Sequence, residues 1–319
     1  MPPTSRGQTV WCFAAQPLFD GRPFRMRISA NQIEIELEDS GEPHLPAVLL
    51  IMGMGMQLIS WPPGMLRALR QAGFRVIRFD NRDAGLSSHF DHAGVPNLLW
   101  QGFKTHFGLP SQPAYGVQDM AMDALAVMDA LHLPRAHVVG ISMGGMIAQR
   151  LALLAPHRVA SLCSIMSSSG APDLPLPDAK VLQLLLGKPP RPGLPAAIDH
   201  TVAFLLSVSS PSFPPDVGLL KTLVTVSLER SYRPDGIARQ MHAVMTDTER
   251  ASLLRHITAP TLVIHGKADP LVPYACGEDT ARRIPRARLV GVEGMGHDLP
   301  PPVVQSITDA LIPFLHEHP

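Results

Sequence analysis

The chain is 319 residues long and 45% apolar, so it can build a large buried core within one α/β architecture. Its 27 basic and 27 acidic residues cancel to zero formal charge. With no basic block and no aromatic-interleaved basic patch, nucleic acid is excluded as an expected partner. No apolar run approaches the roughly eighteen residues of a membrane span, and Trp11-Cys-Phe-Ala-Ala is too short for a signal core and lacks a preceding basic cluster. The cysteines, Cys12, Cys163 and Cys276, are odd in number and have no metal-ligand spacing, which points to reduced thiols and a cytoplasmic setting.

In chain order, a β meander is expected over 24–29 and 32–38. Apolar strand patterns follow near 47–52, 74–79, 136–141, 158–166, 260–265 and 287–292, alternating with helices. That rhythm implies a mostly parallel twisted sheet with helices on both faces. It stops after about residue 167 and resumes near 257. Between lie proline-rich breaks and helical patterns over 179–186, 194–206, 218–229 and 235–245. The expected organisation is therefore a core of 1–167 and 257–319, with a helical cap over 168–256 inserted after the sixth strand. One face of each cap helix must complete a core, and the inner faces are expected to close a water-poor pocket. No internal repeat is present.

The most informative stretch is His137-Val-Val-Gly-Ile-Ser142-Met-Gly-Gly145, a β-type run that breaks into Gly-x-Ser-x-Gly and continues as a helical pattern from Met146. This is the pattern of a serine nucleophile on a strand-to-helix elbow, where Gly140 and Gly144 avoid the clashes that side chains would cause. A serine hydroxyl needs a base and an orienting carboxylate, and on such a sheet both follow the serine in the chain. Thr261-Leu-Val-Ile-His-Gly-Lys-Ala-Asp269 ends a strand pattern in an acid, and Ala287-Arg-Leu-Val-Gly-Val-Glu-Gly-Met-Gly-His297 ends the next in a glycine-flanked histidine. Parallel sheets gather their sites at the strands' carboxyl ends, so the three can converge.

Each candidate has a plainer rival. Most of the 14 histidines are expected to be surface or structural residues, and His132, His137, His265, His316 and His318 sit in unremarkable settings. Asp-Pro is a common turn starter, which is the competing account of Asp269. Asp173 follows the preceding strand and competes for the acid role, although it lies in the proline-rich Ala171-Pro-Asp-Leu-Pro-Leu-Pro. Asn81, Arg82 and Asp83 invite a catalytic reading but fit a structural brace better. Asp119, Asp123 and Asp129 on one helix read as solvated or capping residues, not as a metal cluster. No metal and no cofactor are implied.

An oxyanion hole completes the chemistry, each backbone donor being worth about 3 to 4 kcal/mol. Met143 N–H directly follows the nucleophile. The second donor is expected within Ala47-Val-Leu-Leu-Ile-Met-Gly-Met-Gly-Met56, where the strand pattern ends at Gly53 and Met54 N–H follows. Gly53, Met56 and Trp61 are the candidate substrate contacts. Met52, Met54, Met56, Met143, Met146 and Met295 all fall near these loops, where they fill the core or line an adaptable apolar pocket.

On these motifs, together with Leu50-Ile-Met-Gly-Met-Gly-Met-Gln-Leu-Ile-Ser-Trp61-Pro, Phe74-Arg-Val-Ile-Arg-Phe-Asp-Asn-Arg-Asp-Ala-Gly-Leu-Ser87 and Asp119-Met-Ala-Met-Asp-Ala-Leu, the chain resembles the α/β-hydrolases. Within them it is similar to the aclacinomycin methylesterase-like group. The resemblance covers most of the chain apart from the N-terminal segment and roughly 170–230. It departs from the commonest form at Met52, where many relatives carry histidine before Gly53, a change that a backbone donor tolerates. The resemblance implies a serine esterase acting on a small-molecule ester; the sequence is compatible with a monomer and with a homodimer. The same triad serves lactones, amides of N-terminal proline or perhydrolysis, and the fold also hosts small-molecule receptors with little turnover. A peptidase would gather acids in the cap, and over its helical patterns, 179–245, this cap has few: Asp199, Asp216, Glu229 and Asp235. Epoxide and haloalkane hydrolases place aspartate at the elbow, where this chain has serine.

Overall fold

A computed structural model describes residues 24–319; Trp11 and Cys12 lie outside the described residues. Eight strands form one sheet in the order β1-β2-β4-β3-β5-β6-β7-β8. These are β1 Phe24–Ala30, β2 Ile33–Asp39, β3 Ala47–Ile51, β4 Arg75–Phe79, β5 Ala136–Ile141, β6 Val159–Ile165, β7 Thr261–Gly266 and β8 Arg288–Val292. β1 pairs antiparallel with β2, and β2 with β4; the other pairs are parallel. Asn31 and Gln32 at the β1–β2 turn both have positive φ, 50° and 65°, as a tight hairpin demands.

Strand alternation sorts the core into two faces. Leu49, Ile51 and Val138 point to one side, toward α3 (Val117–Ala130) and α4 (Met143–Leu154). Val48, Leu50 and Val139 point to the other, toward α1 (Pro63–Gln71) and α11 (Pro301–His316). All six are fully buried, each contributing on the order of 1.5–3 kcal/mol. Two further helices are α2 (Leu98–His106) and α10 (Tyr274–Arg283), the second packed against β7 and β8.

Five helices separate β6 from β7: α5 Ala179–Leu186, α6 Leu194–Ser207, α7 Val217–Arg230, α8 Pro234–Thr246 and the short α9 Arg250–Leu253. α6 and α7 join through their own small cluster, in which Ile198, Val202 and Val224 are buried. No helix among the described residues is long and apolar enough to cross a membrane.

The sheet order places the site. β3 lies between β4 and β5, so the chain reverses direction across the sheet at β3. The loops after β3 and β5 therefore open side by side beyond the strands' carboxyl ends, the position where such sheets hold ligands. Ile51 and Gly140 are register partners there.

Candidate active site

The turn from β5 into α4 holds Ser142 at φ 55° and ψ −122°, a left-handed region that a non-glycine residue occupies at a cost of about 1–3 kcal/mol. The surroundings over-determine it. A Cβ on Gly144 would strike the Ile51 carbonyl, and one on Gly140 would strike the Gly144 carbonyl, so both positions must be bare for β3, β5 and α4 to meet this closely. Ser142 N–H donates to Ile165 O at 2.9 Å, and its carbonyl accepts Gly145 N–H at 2.9 Å and Ser167 Oγ–H at 2.7 Å. The side chain is the one part of Ser142 left without a structural duty.

His297, from the loop after β8, places Nε2 3.0 Å from Ser142 Oγ and Nδ1 2.7 Å from Asp269 Oδ2. A carboxylate oxygen only accepts, so Nδ1–H donates to Asp269 and Nε2 presents its lone pair to the serine hydroxyl. Asp269 Oδ1 accepts the N–H groups of Leu271 at 2.9 Å and Val272 at 2.8 Å, which fixes the carboxylate just beyond β7. The structure thus brings Ser142, Asp269 and His297 together. Asp173 is exposed and takes no part.

Gly53 sits directly beside the serine, since a Cβ there would lie 3.3 Å from Ser142 Cβ and 3.8 Å from its Oγ. Met143 N–H opens α4 and has no carbonyl behind it in the helix, and neither it nor Met54 N–H donates to a backbone carbonyl among the described residues. Met143 follows the nucleophile directly at the N-terminal, positive end of α4, and Met54 follows Gly53 in the loop after β3. Of the methionines, Met52, Met143, Met146 and Met295 are buried in the core, whereas Met54 and Met56 are half-buried. Trp61, an expected substrate contact, is 1% exposed and lies in the apolar cluster with Met52 and Met65. A side chain sealed in the core offers no surface to a ligand entering from solvent, so its role here is packing.

The turn after β4 is a brace. Asn81 Nδ2 donates to Met52 O at 2.9 Å, tying down the end of β3. Arg82 forms a buried pair with Asp123 (2.6 Å), and Asp83 one with Arg239 of α8 (2.8 Å). Burial would raise the Asp83 carboxyl, but hydrogen bonds from Arg239 and Tyr115 outweigh it and hold the group below its ordinary value. Tyr115 is correspondingly pushed up, first by burial and then by the Asp83 charge. Asp119 caps α3 by accepting Gly116 N–H and Asp129 is exposed. Asp123, expected in solvent or at a cap, is instead a buried ion-pair partner. No group of three or more His, Cys, Asp or Glu residues among the described residues is disposed to hold a metal ion.

Four contributors carried no sequence signal. His265 is fully buried; its Nε2–H donates to Val272 O at 2.7 Å, bracing the Asp269 turn, and burial lowers its pKa. Ser210, after α6, accepts Gly296 N–H at 2.9 Å and donates to the Asp298 carboxylate, while Val208 O accepts His297 N–H at 2.7 Å. Gln240 of α8 accepts Gly55 N–H at 2.8 Å. Ser210, Val208 and Gln240 act across segments 86 to 185 residues apart, and His265 acts through burial, neither of which local spacing encodes.

A family model described as the alpha/beta hydrolase fold matches residues 46–300. The chain is 32% identical to rhodomycin D methylesterase DauP of Streptomyces sp. (strain C5), over 91% of this chain and 97% of that one. It is likewise 32% identical to rhodomycin D methylesterase DnrP of Streptomyces peucetius, with the same coverage. Among solved structures it is similar to a hydrolase from Pseudomonas aeruginosa PA01, with TM-score 0.67 and 26% identity over 93% of this chain and 99% of that one.

Proposed function

The chain belongs to the α/β-hydrolase family, and from that premise we propose that it cleaves carboxylic esters of small, apolar substrates through an acyl-enzyme on Ser142. The observation that carries this reading is the hydrogen-bonded series Ser142 Oγ, His297 Nε2, His297 Nδ1, Asp269 Oδ2, at 3.0 and 2.7 Å, on a serine held at positive φ.

Ser142 Oγ attacks the ester carbonyl carbon while His297 Nε2 takes the hydroxyl proton. The tetrahedral oxyanion is held by the N–H groups of Met54 and Met143. As it collapses, the C–O bond to the alcohol breaks and His297 returns the proton to the leaving oxygen. Water then attacks the acyl-enzyme, with His297 again as base, and releases the acid and free Ser142. Asp269 fixes the imidazole's tautomer and stabilises its charged form without itself taking the proton. No step requires a metal or cofactor.

Residues 168–256 form the cap over a core of 24–167 and 257–319, residues 1–23 of the expected core lying outside the described residues, and Gly53 and Met56 line the substrate site beside Met54. The names of DauP and DnrP make methyl esters the first substrates to try. Cys163 and Cys276 are buried and unpaired, which supports a reducing, cytoplasmic setting.

The test is kcat/KM over methyl esters, p-nitrophenyl acyl esters of increasing length, a lactone and a proline anilide, with Ser142→Ala beside the wild type. Turnover of one ester class is expected, and it should fall on the order of 10³-fold or more in Ser142→Ala with the circular dichroism spectrum unchanged. A variant that keeps most of the activity removes Ser142 from the mechanism.

A further inference from the structure

The oxyanion loop, residues 53–56, has no regular structure of its own between β3 and the turn at Leu58. Its backbone must nonetheless be fixed, because an N–H displaced by an ångström no longer meets a developing oxyanion. One anchor is Asn81, whose amide holds Met52 O. The anchor on the far side comes from the inserted helices. Gln240, fully buried on α8, accepts Gly55 N–H through Oε1 at 2.8 Å and donates through Nε2 to Arg82 O at 2.7 Å. One side chain thereby ties the loop after β3 to the turn after β4. Gly55 has φ 68°, and a Cβ on it would lie 2.8 Å from Ile237 of the same helix, so α8 packs on the loop as well as bonding to it.

We infer that Gln240 is a positioning residue for ester hydrolysis: by bonding Gly55 N–H and Arg82 O together it fixes the backbone that presents Met54 N–H to the oxyanion. The inference rests on the assignment of Met54 as an oxyanion donor. Gln240 touches no reacting atom. Its effect belongs to the transition state, because the substrate carbonyl needs the donor most when it becomes an oxyanion. α8 is then part of the catalytic framework and not only a wall of the pocket. The other catalytic loop is tied to the inserted segment in the same way, through Val208 O on His297 N–H and Ser210 Oγ on Gly296 N–H.

The experiment compares wild type, Gln240→Met and Ser142→Ala on the best p-nitrophenyl ester, at a temperature well below every melting point. Three quantities are read: kcat and KM separately, the Ki of an alkyl trifluoromethyl ketone that forms a serine-bound oxyanion, and the stoichiometry of Ser142 labelling by a fluorophosphonate. Methionine matches glutamine in length and volume and makes neither hydrogen bond. For Gln240→Met the expected result is a kcat lowered at least tenfold, a KM within threefold of wild type and a ketone Ki raised in parallel with the loss in kcat/KM. Labelling should stay at one per chain. A kcat within twofold of wild type, or a loss carried by KM alone, overturns the inference. If Gln240→Met does not fold, Gln240→Asn takes its place, one methylene too short to span both backbones and subject to the same outcomes. Failure of the underlying reading looks different: the wild type then turns over no ester, or Ser142→Ala retains turnover, and the inference falls with it.

Discussion

Asp269 does two jobs with two oxygens. Oδ1 accepts from Leu271 and Val272, and Oδ2 from His297. An asparagine cannot do both. If its single oxygen keeps the two backbone donors, its NH₂ faces His297 Nδ1, drives the ring proton onto Nε2 and leaves no lone pair for Ser142. Asp269→Asn is therefore expected to lower kcat on the order of 10³- to 10⁴-fold with little change in melting temperature. Steady-state kinetics beside a thermal melt check this, and a loss under tenfold would show that the carboxylate is dispensable. These residues were legible because each closes a strand pattern, and chain order with sheet topology brings strand ends together. Gln240 and Ser210 were not, since a glutamine in a helix and a serine after one carry no mark of the backbone groups they meet.

At the scale of elements, the turn after β4 separates bracing from chemistry. Arg82 lies over both the Phe90 and Tyr115 rings, 5.1 Å from each centroid, and pairs with Asp123, which also accepts from Asn31 Nδ2 at 2.8 Å. Removing one member of a buried pair strands the other charge, at a cost of about 3–5 kcal/mol. Asp123→Ala is expected to lower the unfolding free energy by about that much, read from urea titration, while kcat per folded, phosphonate-titratable site stays within about threefold. Intact stability would deny the brace, and a kcat loss beyond tenfold in folded protein would give the turn a chemical role. Strands were readable to within a residue or two, because apolar runs of fixed length leave few choices. Four helices of the inserted segment, α5 to α8, were readable through their periodicity and proline boundaries, whereas the four-residue α9 is too short to show a period. α2 was not: Leu99 is 77% and Trp100 52% exposed, so its apolar residues do not mark a buried face. Its clearest signal is the Asn97 cap, which accepts Trp100 N–H.

Across the whole molecule, the two-faced core buries groups that water would otherwise charge. His137 on β5 is 1% exposed, edge-on to Phe74 and within 2.8 Å of Ser161 Oγ. Burial, reinforced by the nearby charges of Arg135, His318 and His316, lowers its pKa from 6.5 to about 4. The unfolded chain binds this proton near pH 6.5 and the folded protein only near 4, so between those values the unfolded state holds more protons. Stability is complete above about pH 6.5 and drains away as pH falls toward 4, by about 3 kcal/mol from this residue alone. His265, also lowered by burial, acts in the same direction. His137→Gln keeps a polar group opposite Ser161 and cannot titrate. Its unfolding free energy should be lower than wild type at pH 7.5 because the ring packing against Phe74 is lost, yet it should fall less between pH 7.5 and 4.5. The difference between the two slopes, taken from urea titrations at the two pH values, isolates His137, since His265 and the carboxylates contribute to both proteins. Equal slopes would mean that the folded protein takes up this proton as readily as the unfolded chain does, and that the cost of acid to this fold is carried elsewhere.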